Sequence, residues 1–142
     1  MDLSTALFLA ETYNLAGFTH YKQIEKLAGT NLRQCQSGQG IGRRKLSKLG
    51  NARLRWLLYR MSEEAIKYIP EVRIKFLKRQ LIKPCYRKNL MAATPKLLEL
   101  IMALCRDGRT YQPRQETLQQ LAELEKQYNE KLKPYKDRSK AA

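Results

Sequence analysis

Apolar residues return at three- and four-residue steps along almost the whole of this 142-residue chain, and the exception is the segment 30–51, which holds four glycines and no clear apolar period. Such a period marks helices that each bury one face. The expected fold class is therefore all-α, mainly helical with about five helices, and with a Gly-rich basic loop set between two of them.

Element by element, Leu3 to Asn14 is apolar at Leu3, Ala6, Leu7, Leu9, Ala10 and Tyr13, with Gly17 placed to end it. Thr19 has N-cap chemistry for a short helix through Tyr21, Ile24 and Leu27, which Gly29 terminates. Residues 30–51 read as loop, with room for a short strand pair. Asn51 is suited to cap a long helix from Ala52 to about Tyr68, with Leu54, Leu57, Leu58, Met61 and Ala65 on one face and Arg53, Arg60, Glu63, Glu64 and Lys67 off it. Pro70 ends that helix. Val72 to Leu81 repeats the pattern until Pro84 breaks it. Tyr86 to Cys105 is the most apolar run and the expected core helix, in which Pro95 marks either a kink or a new start. Gly108 closes it and Tyr111-Gln112-Pro113 is extended. A last helix, Glu116 to Lys133, carries Leu118, Leu121, Leu124, Tyr128 and Leu132 among charges, a stripe that either docks on the body or pairs with another chain. The organisation expected is a body over 1–113, an amphipathic helix over 114–133 and a mobile basic tail over 134–142.

The net charge of +15 and pI near 10.0 exceed what solubility needs and point to a polyanion. A membrane partner is disfavoured: no apolar run approaches the roughly 20 residues that span a bilayer, and Met1-Asp2-Leu3 does not open a signal peptide. The default address is the cytoplasm, in association with the nucleoid. Cys35, Cys85 and Cys105 are far apart, with no Cys-x-x-Cys and no clustered histidine, so all three are expected to be reduced and no metal site is expected. Charge is also uneven. Between Lys26 and Ser62 there are nine bases and no carboxylate.

Within that stretch lies Gln36-Ser37-Gly38-Gln39-Gly40-Ile41-Gly42, followed by Arg43-Arg44-Lys45-Leu46-Ser47-Lys48-Leu49-Gly50-Asn51. Gly38, Gly40 and Gly42 let backbone approach a ligand, and the amides ahead of the Asn51-capped helix form a natural anion site. Arg33, Gly38, Arg43, Arg44, Lys45, Ser47, Lys48, Asn51, Arg53 and Arg55 are the expected nucleic-acid contacts, mostly indifferent to sequence and sensitive to salt. From spacing alone, nucleic-acid contact outweighs catalysis, and a plain solvated surface stays open. His20 reads as a surface residue beside a helix cap rather than a general base. Trp56 could stack on a base but is assigned to the core, Tyr59 and Tyr68 to half-buried positions, and Asp107 to an ion pair between two arginines.

The order Leu27-Ala28-Gly29, Ser37-Gly38, Leu46-Ser47-Lys48-Leu49-Gly50-Asn51, Leu54-Arg55 and Leu104-Cys105-Arg106-Asp107-Gly108-Arg109-Thr110-Tyr111-Gln112-Pro113 resembles the C-terminal domain of the bridge-RNA-guided insertion-sequence transposases. The resemblance runs from about Leu7 to Pro113 and would make 1–113 the transposase C-terminal domain. It implies DNA transposition through a serine in the Ser-Gly step, here Ser37 with Gly38 behind it, which attacks a phosphodiester to give a phosphoserine linkage; Ser47 is the rival. It also implies DNA and guide (bridge) RNA as partners and a homo-oligomer in the complete enzyme. A divalent metal (Mg) is expected on an N-terminal acidic DEDD domain, for which a chain of this length has no room, so the chain alone is not expected to recombine DNA. The alternative is a noncatalytic nucleic-acid-binding module.

Overall fold

The computed structural model describes residues 3–33, 36–37, 40–41 and 44–141, with side chains described except at 36–41 and 133–141. Six α-helices appear: α1 (Leu3–Glu11), α2 (Tyr21–Ala28), α3 (Ala52–Tyr68), α4 (Pro70–Ile82), α5 (Tyr86–Asp107) and α6 (Gln115–Ala141). Between α2 and α3 run β1 (Leu32–Arg33), β2 (Gln36–Ser37), β3 (Gly40–Ile41) and β4 (Lys45–Leu46). β1 pairs antiparallel with β4 and β2 with β3, so one two-stranded ladder is nested inside the other.

Helix α3 is the axis of the fold because its sequence is apolar where it meets four other helices. Leu54, Leu57 and Leu58 are fully buried. One cluster gathers Leu54 and Leu58 with Phe8 of α1, Ile24 and Ala28 of α2 and Leu98 of α5. A second gathers Ala65 and Ile66 with Val72, Phe76 and Leu77 of α4 and Leu90, Ala93 and Leu97 of α5. Each such leucine, isoleucine, valine or phenylalanine contributes about 1.5–3 kcal/mol of burial. Where α3 and α5 cross, the buried hydroxyls of Ser62 and Thr94 meet at 2.8 Å, and Thr94 also donates to the Leu90 carbonyl at 3.3 Å. Two polar groups thereby satisfy each other inside an apolar contact.

The expected caps of α3 and α5 hold. Asn51 Oδ1 accepts from the amides of Arg53 and Leu54, and Gly108 ends α5 at φ +61°. Pro70 stops α3 and also opens α4 at its first position, where a missing N–H costs nothing. Pro95 neither starts nor splits a helix, since α5 runs through it. The stripe of α6 docks on the body: Leu121, Leu124 and Tyr128 pack on the second cluster. Arg73 Nε pairs with Glu125 at 2.6 Å, Lys131 Nζ donates to the Leu81 carbonyl at 2.5 Å, and the Tyr111 hydroxyl donates to Glu71.

Four readings are corrected. The first helix stops at Glu11, because the Thr12 hydroxyl turns back to the Phe8 carbonyl and Tyr13, Asn14 and Leu15 take positive φ. Tyr13 and Leu3 are exposed rather than part of a buried face. The cap of α2 is His20, not Thr19: His20 Nδ1 accepts from the Lys22 amide at 3.1 Å while Gln23 Oε1 accepts from the His20 amide at 3.2 Å, a reciprocal capping box. Trp56 and Tyr68 are exposed, at 59% and 76%. Tyr59 is half-buried, as expected. Asp107 does pair with Arg106, at 3.4 Å. Cys85 and Cys105 are free thiols, and Cys35 lies outside the described residues. Among the described residues no helix is long and apolar enough to cross a membrane.

Candidate nucleic-acid interface

The glycine-rich segment hangs from a backbone crossing. Helix α2 ends at Gly29 with φ +69°, and the chain returns to α3 through Gly50 with φ +147°. The two passes bond directly: Lys48 N to Gly29 O at 2.9 Å, Asn51 N to Leu27 O at 2.7 Å and, one step outward, Ser47 N to Asn31 O at 2.9 Å. A Cβ on Gly29 would stand 2.7 Å from the Leu49 carbonyl oxygen, and one on Gly50 would stand 2.8 Å from the Gly29 nitrogen and closer still to the Leu27 carbonyl oxygen. Only glycine allows this approach. Arg55 fastens the crossing from below, donating to the Ala28 carbonyl at 2.9 Å and the Lys48 carbonyl at 3.4 Å.

From the crossing the chain rises into the nested ladders. In the outer one Arg33 stands directly opposite Lys45, and both are exposed. Like charges facing each other across a two-stranded ladder repel unless an anion lies between them. In the inner one Gln36 is opposite Ile41 and Ser37 opposite Gly40, the last rung among the described residues. Arg44 and Lys48 are exposed beside the outer ladder. Gly38 and Arg43 lie outside the described residues.

The remaining predicted contacts sit at the start of α3, where they are engaged within the protein. Asn51 uses its oxygen on the helix amides and its nitrogen on Glu11 Oε2 at 2.5 Å. Asn51 thus occupies the amides of Arg53 and Leu54 in the first turn of α3, and of the amides ahead of that helix those of Ser47, Lys48 and Asn51 are bonded to backbone within the crossing. Arg53 pairs with Glu11 at 3.3 Å yet keeps its side chain 72% exposed. Ser47 Oγ accepts from the Leu49 amide at 3.4 Å, closing the turn ahead of Gly50. Arg33 and Lys45 thus stand opposite each other, Asn51 and Arg53 meet Glu11, and Arg55 meets backbone. On α2, burial holds the Glu25 carboxyl above its usual range against the pull of Lys75, Lys22 and His20.

Two features escaped sequence reasoning. One is Trp56, whose outward position follows from the register of α3. The other is a second cationic surface where α4 turns into α5, with exposed Lys78, Arg79, Lys83, Arg87 and Lys88. Its signal was present: residues 72–98 contain eight bases and no carboxylate. Among the described residues no group of three or more His, Cys, Asp or Glu side chains is placed to hold a metal ion.

No curated protein and no solved structure matches the chain. The family model described as Transposase IS116/IS110/IS902 family does match, over residues 2–76, from the start of α1 into α4 and across the whole glycine-rich segment. The match covers just over half of the 142 residues and takes in both the crossing and the cation-lined ladders. The chain belongs to the transposase IS116/IS110/IS902 family.

Proposed function

We propose that this chain holds DNA on the face formed by the β1–β4 ladder and the start of α3, and that within a complete transposase it presents Ser37 as the nucleophile of strand exchange. Membership of a transposase family implies DNA binding and a role in transposition. The observation that carries the finer reading is the cross-strand pair Arg33–Lys45. Two exposed cations held face to face cost stability in the free protein, and a phosphate between them turns that cost into attraction. Ser37 follows on the adjoining inner ladder of the same hairpin.

A serine hydroxyl is a weak nucleophile, and cations that neutralise the phosphodiester lower the barrier to its attack. Attack forms a phosphoserine bond and releases one sugar oxygen. Arg33, Arg44 and Lys45 are the described residues suited to that neutralising role. The divalent metal belongs on an acidic DEDD domain, and no residue described here is assigned to it. Guide RNA and further copies of the chain are the partners this reading adds.

The test supplies Ser37→Ala protein together with the acidic domain and follows both strand exchange and a covalent protein–DNA adduct. We expect both to vanish while DNA affinity stays within about twofold. Retained exchange removes Ser37 from the reaction, and absence of any adduct with the unaltered chain favours a noncatalytic binding module.

A further inference from the structure

The sole tryptophan of the chain is exposed within the basic segment 26–62, which holds no carboxylate. Trp56 is 59% accessible although α3 is the central helix of the fold. It cannot turn inward, because Leu54, Leu57 and Leu58 occupy the core side of the same turns at 0% exposure. On the outer face its neighbours three back and four ahead are Arg53 and Arg60, which share its side of the helix. Their side chains are 72% and 53% exposed. Each touches a carboxylate, Glu11 at 3.3 Å and Glu63 at 2.7 Å, but exposed ion pairs of this kind hold weakly and exchange readily for a phosphate. Trp56 also lies only about 8 Å along the helix axis from Asn51, where α3 leaves the crossing that anchors the hairpin. An indole flanked by two arginines matches the combination that binds unpaired nucleotides: a stacking surface with cations on either side.

Resting on the nucleic-acid reading above, we propose that Trp56 is a stacking platform for an unpaired base of the DNA, with Arg53 and Arg60 on the phosphates to either side. The base must be unpaired, because in a continuous duplex both faces of every base are covered by its neighbours. The contact is indifferent to sequence, since every base offers a π-face. This surface therefore favours DNA with opened base pairs over an intact duplex.

The single tryptophan makes the test direct. The full chain is titrated with single-stranded oligo-dT, with a blunt duplex of equal length and with oligo-U RNA; binding is followed by anisotropy of a labelled oligonucleotide and stacking by tryptophan emission. Oligo-dT is expected to quench Trp56, and the duplex to bind with little quenching. Trp56→Ala is expected to weaken oligo-dT binding about tenfold, the scale of one base–aromatic stack, leave duplex affinity within about twofold, and be largely rescued in Trp56→Phe. Oligo-dT binding with unchanged emission overturns the stacking role and leaves the nucleic-acid reading standing. Quenching by RNA alone overturns the assignment to DNA. Absence of binding by all three ligands overturns both.

Discussion

Replacing Gly50 by alanine tests whether the crossing under the hairpin is as tight as it looks. At φ +147° an L side chain is strained by about 1–3 kcal/mol wherever it is placed. The added methyl also meets backbone on three sides, at the Leu27 carbonyl oxygen, Gly29 N and Ala28 C. Backbone at a helix end cannot rotate aside as a flexible side chain can. Opening the crossing endangers the Lys48–Gly29 and Asn51–Leu27 hydrogen bonds, each contributing about 1 kcal/mol net. The total is about 3–5 kcal/mol. At roughly 2.1 cal/mol/K of unfolding entropy per residue, each kcal/mol moves the melting temperature by about 3 °C, so a fall of about 10–15 °C is expected. The assay is thermal melting by circular dichroism at 222 nm across a graded series. Gly17→Ala, with no atom within 4 Å of the new methyl, serves as the neutral control. Gly108→Ala has φ +61° but open space, and should lose only about 1 kcal/mol to left-handed strain. Gly29→Ala, 2.7 Å from the Leu49 carbonyl oxygen, should fall near Gly50→Ala. A Gly50→Ala protein that melts within two or three degrees of the control, roughly the effect of 1 kcal/mol, refutes the crossing.

Lys45→Gln should act in opposite directions on two observables: the free protein gains about 0.2–1 kcal/mol by losing the repulsion with Arg33, while the salt dependence of DNA binding loses about one unit of slope. Melting and a salt titration read the two, and loss of stability refutes the pairing. In the α3–α5 contact, Thr94→Val strands the buried Ser62 hydroxyl and should cost about 1–3 kcal/mol, whereas Ser62→Ala leaves Thr94 bonded to Leu90 and should cost about 1 kcal/mol; urea unfolding gives the order, and the reverse order is fatal to it. The Tyr111 hydroxyl is held neutral far above its usual range by burial, by its bond to Glu71 and by that carboxylate's charge. Its stabilisation is complete below the free value near 10 and is lost as pH rises beyond it toward the folded value, so Tyr111→Phe should flatten the alkaline fall in melting temperature between about pH 10 and 11.5. Leu121→Ala with Leu124→Ala should lower the melting temperature without changing the mass seen by light scattering; a changed mass with an unchanged melt would make α6 an oligomerisation helix.

What could be read from the sequence was decided by chemistry within one turn of chain. Asn51 before a periodic apolar run, and Gly29 and Gly108 after one, fixed their helix ends because capping is local. His20 was legible too, since Gln23 three residues on completes its capping box, but Thr19 is the commoner cap type and drew the assignment. Trp56 was misplaced for a different reason. Its size argued for burial, whereas its position between Leu54 and Leu57 on a 3.6-residue period argued for the outside, and the period won. The crossing of Gly29 and Gly50 joins residues 21 apart in the chain, and the opposition of Arg33 and Lys45 needs a strand register that residues 30–51, lacking alternation, do not announce. Arg55 counted as one more cation until its carbonyl partners on two separate segments were visible.

Helix α3 explains why core and candidate interface are not independent inventions of this chain. Its inner face is fixed by three fully buried leucines, two of which, Leu54 and Leu58, meet α1, α2 and α5, and an α-helix permits no rotation of one face without the other. Arg53, Trp56 and Arg60 therefore point outward with the rigidity of the core behind them, while the hairpin with Ser37 is held at the same helix's first turn by backbone bonds and by the Arg55 side chain. Adding one residue within the first turn of α3, between Asn51 and Leu54, would rotate the cap and hairpin by about 100° relative to the leucines. The core could survive by shifting the cap, but the ladder cations and the Trp56 face would no longer address one nucleic-acid strand together. Such an insertion should thus reduce DNA affinity more than it reduces melting temperature, a separation that truncating any single core side chain would not produce.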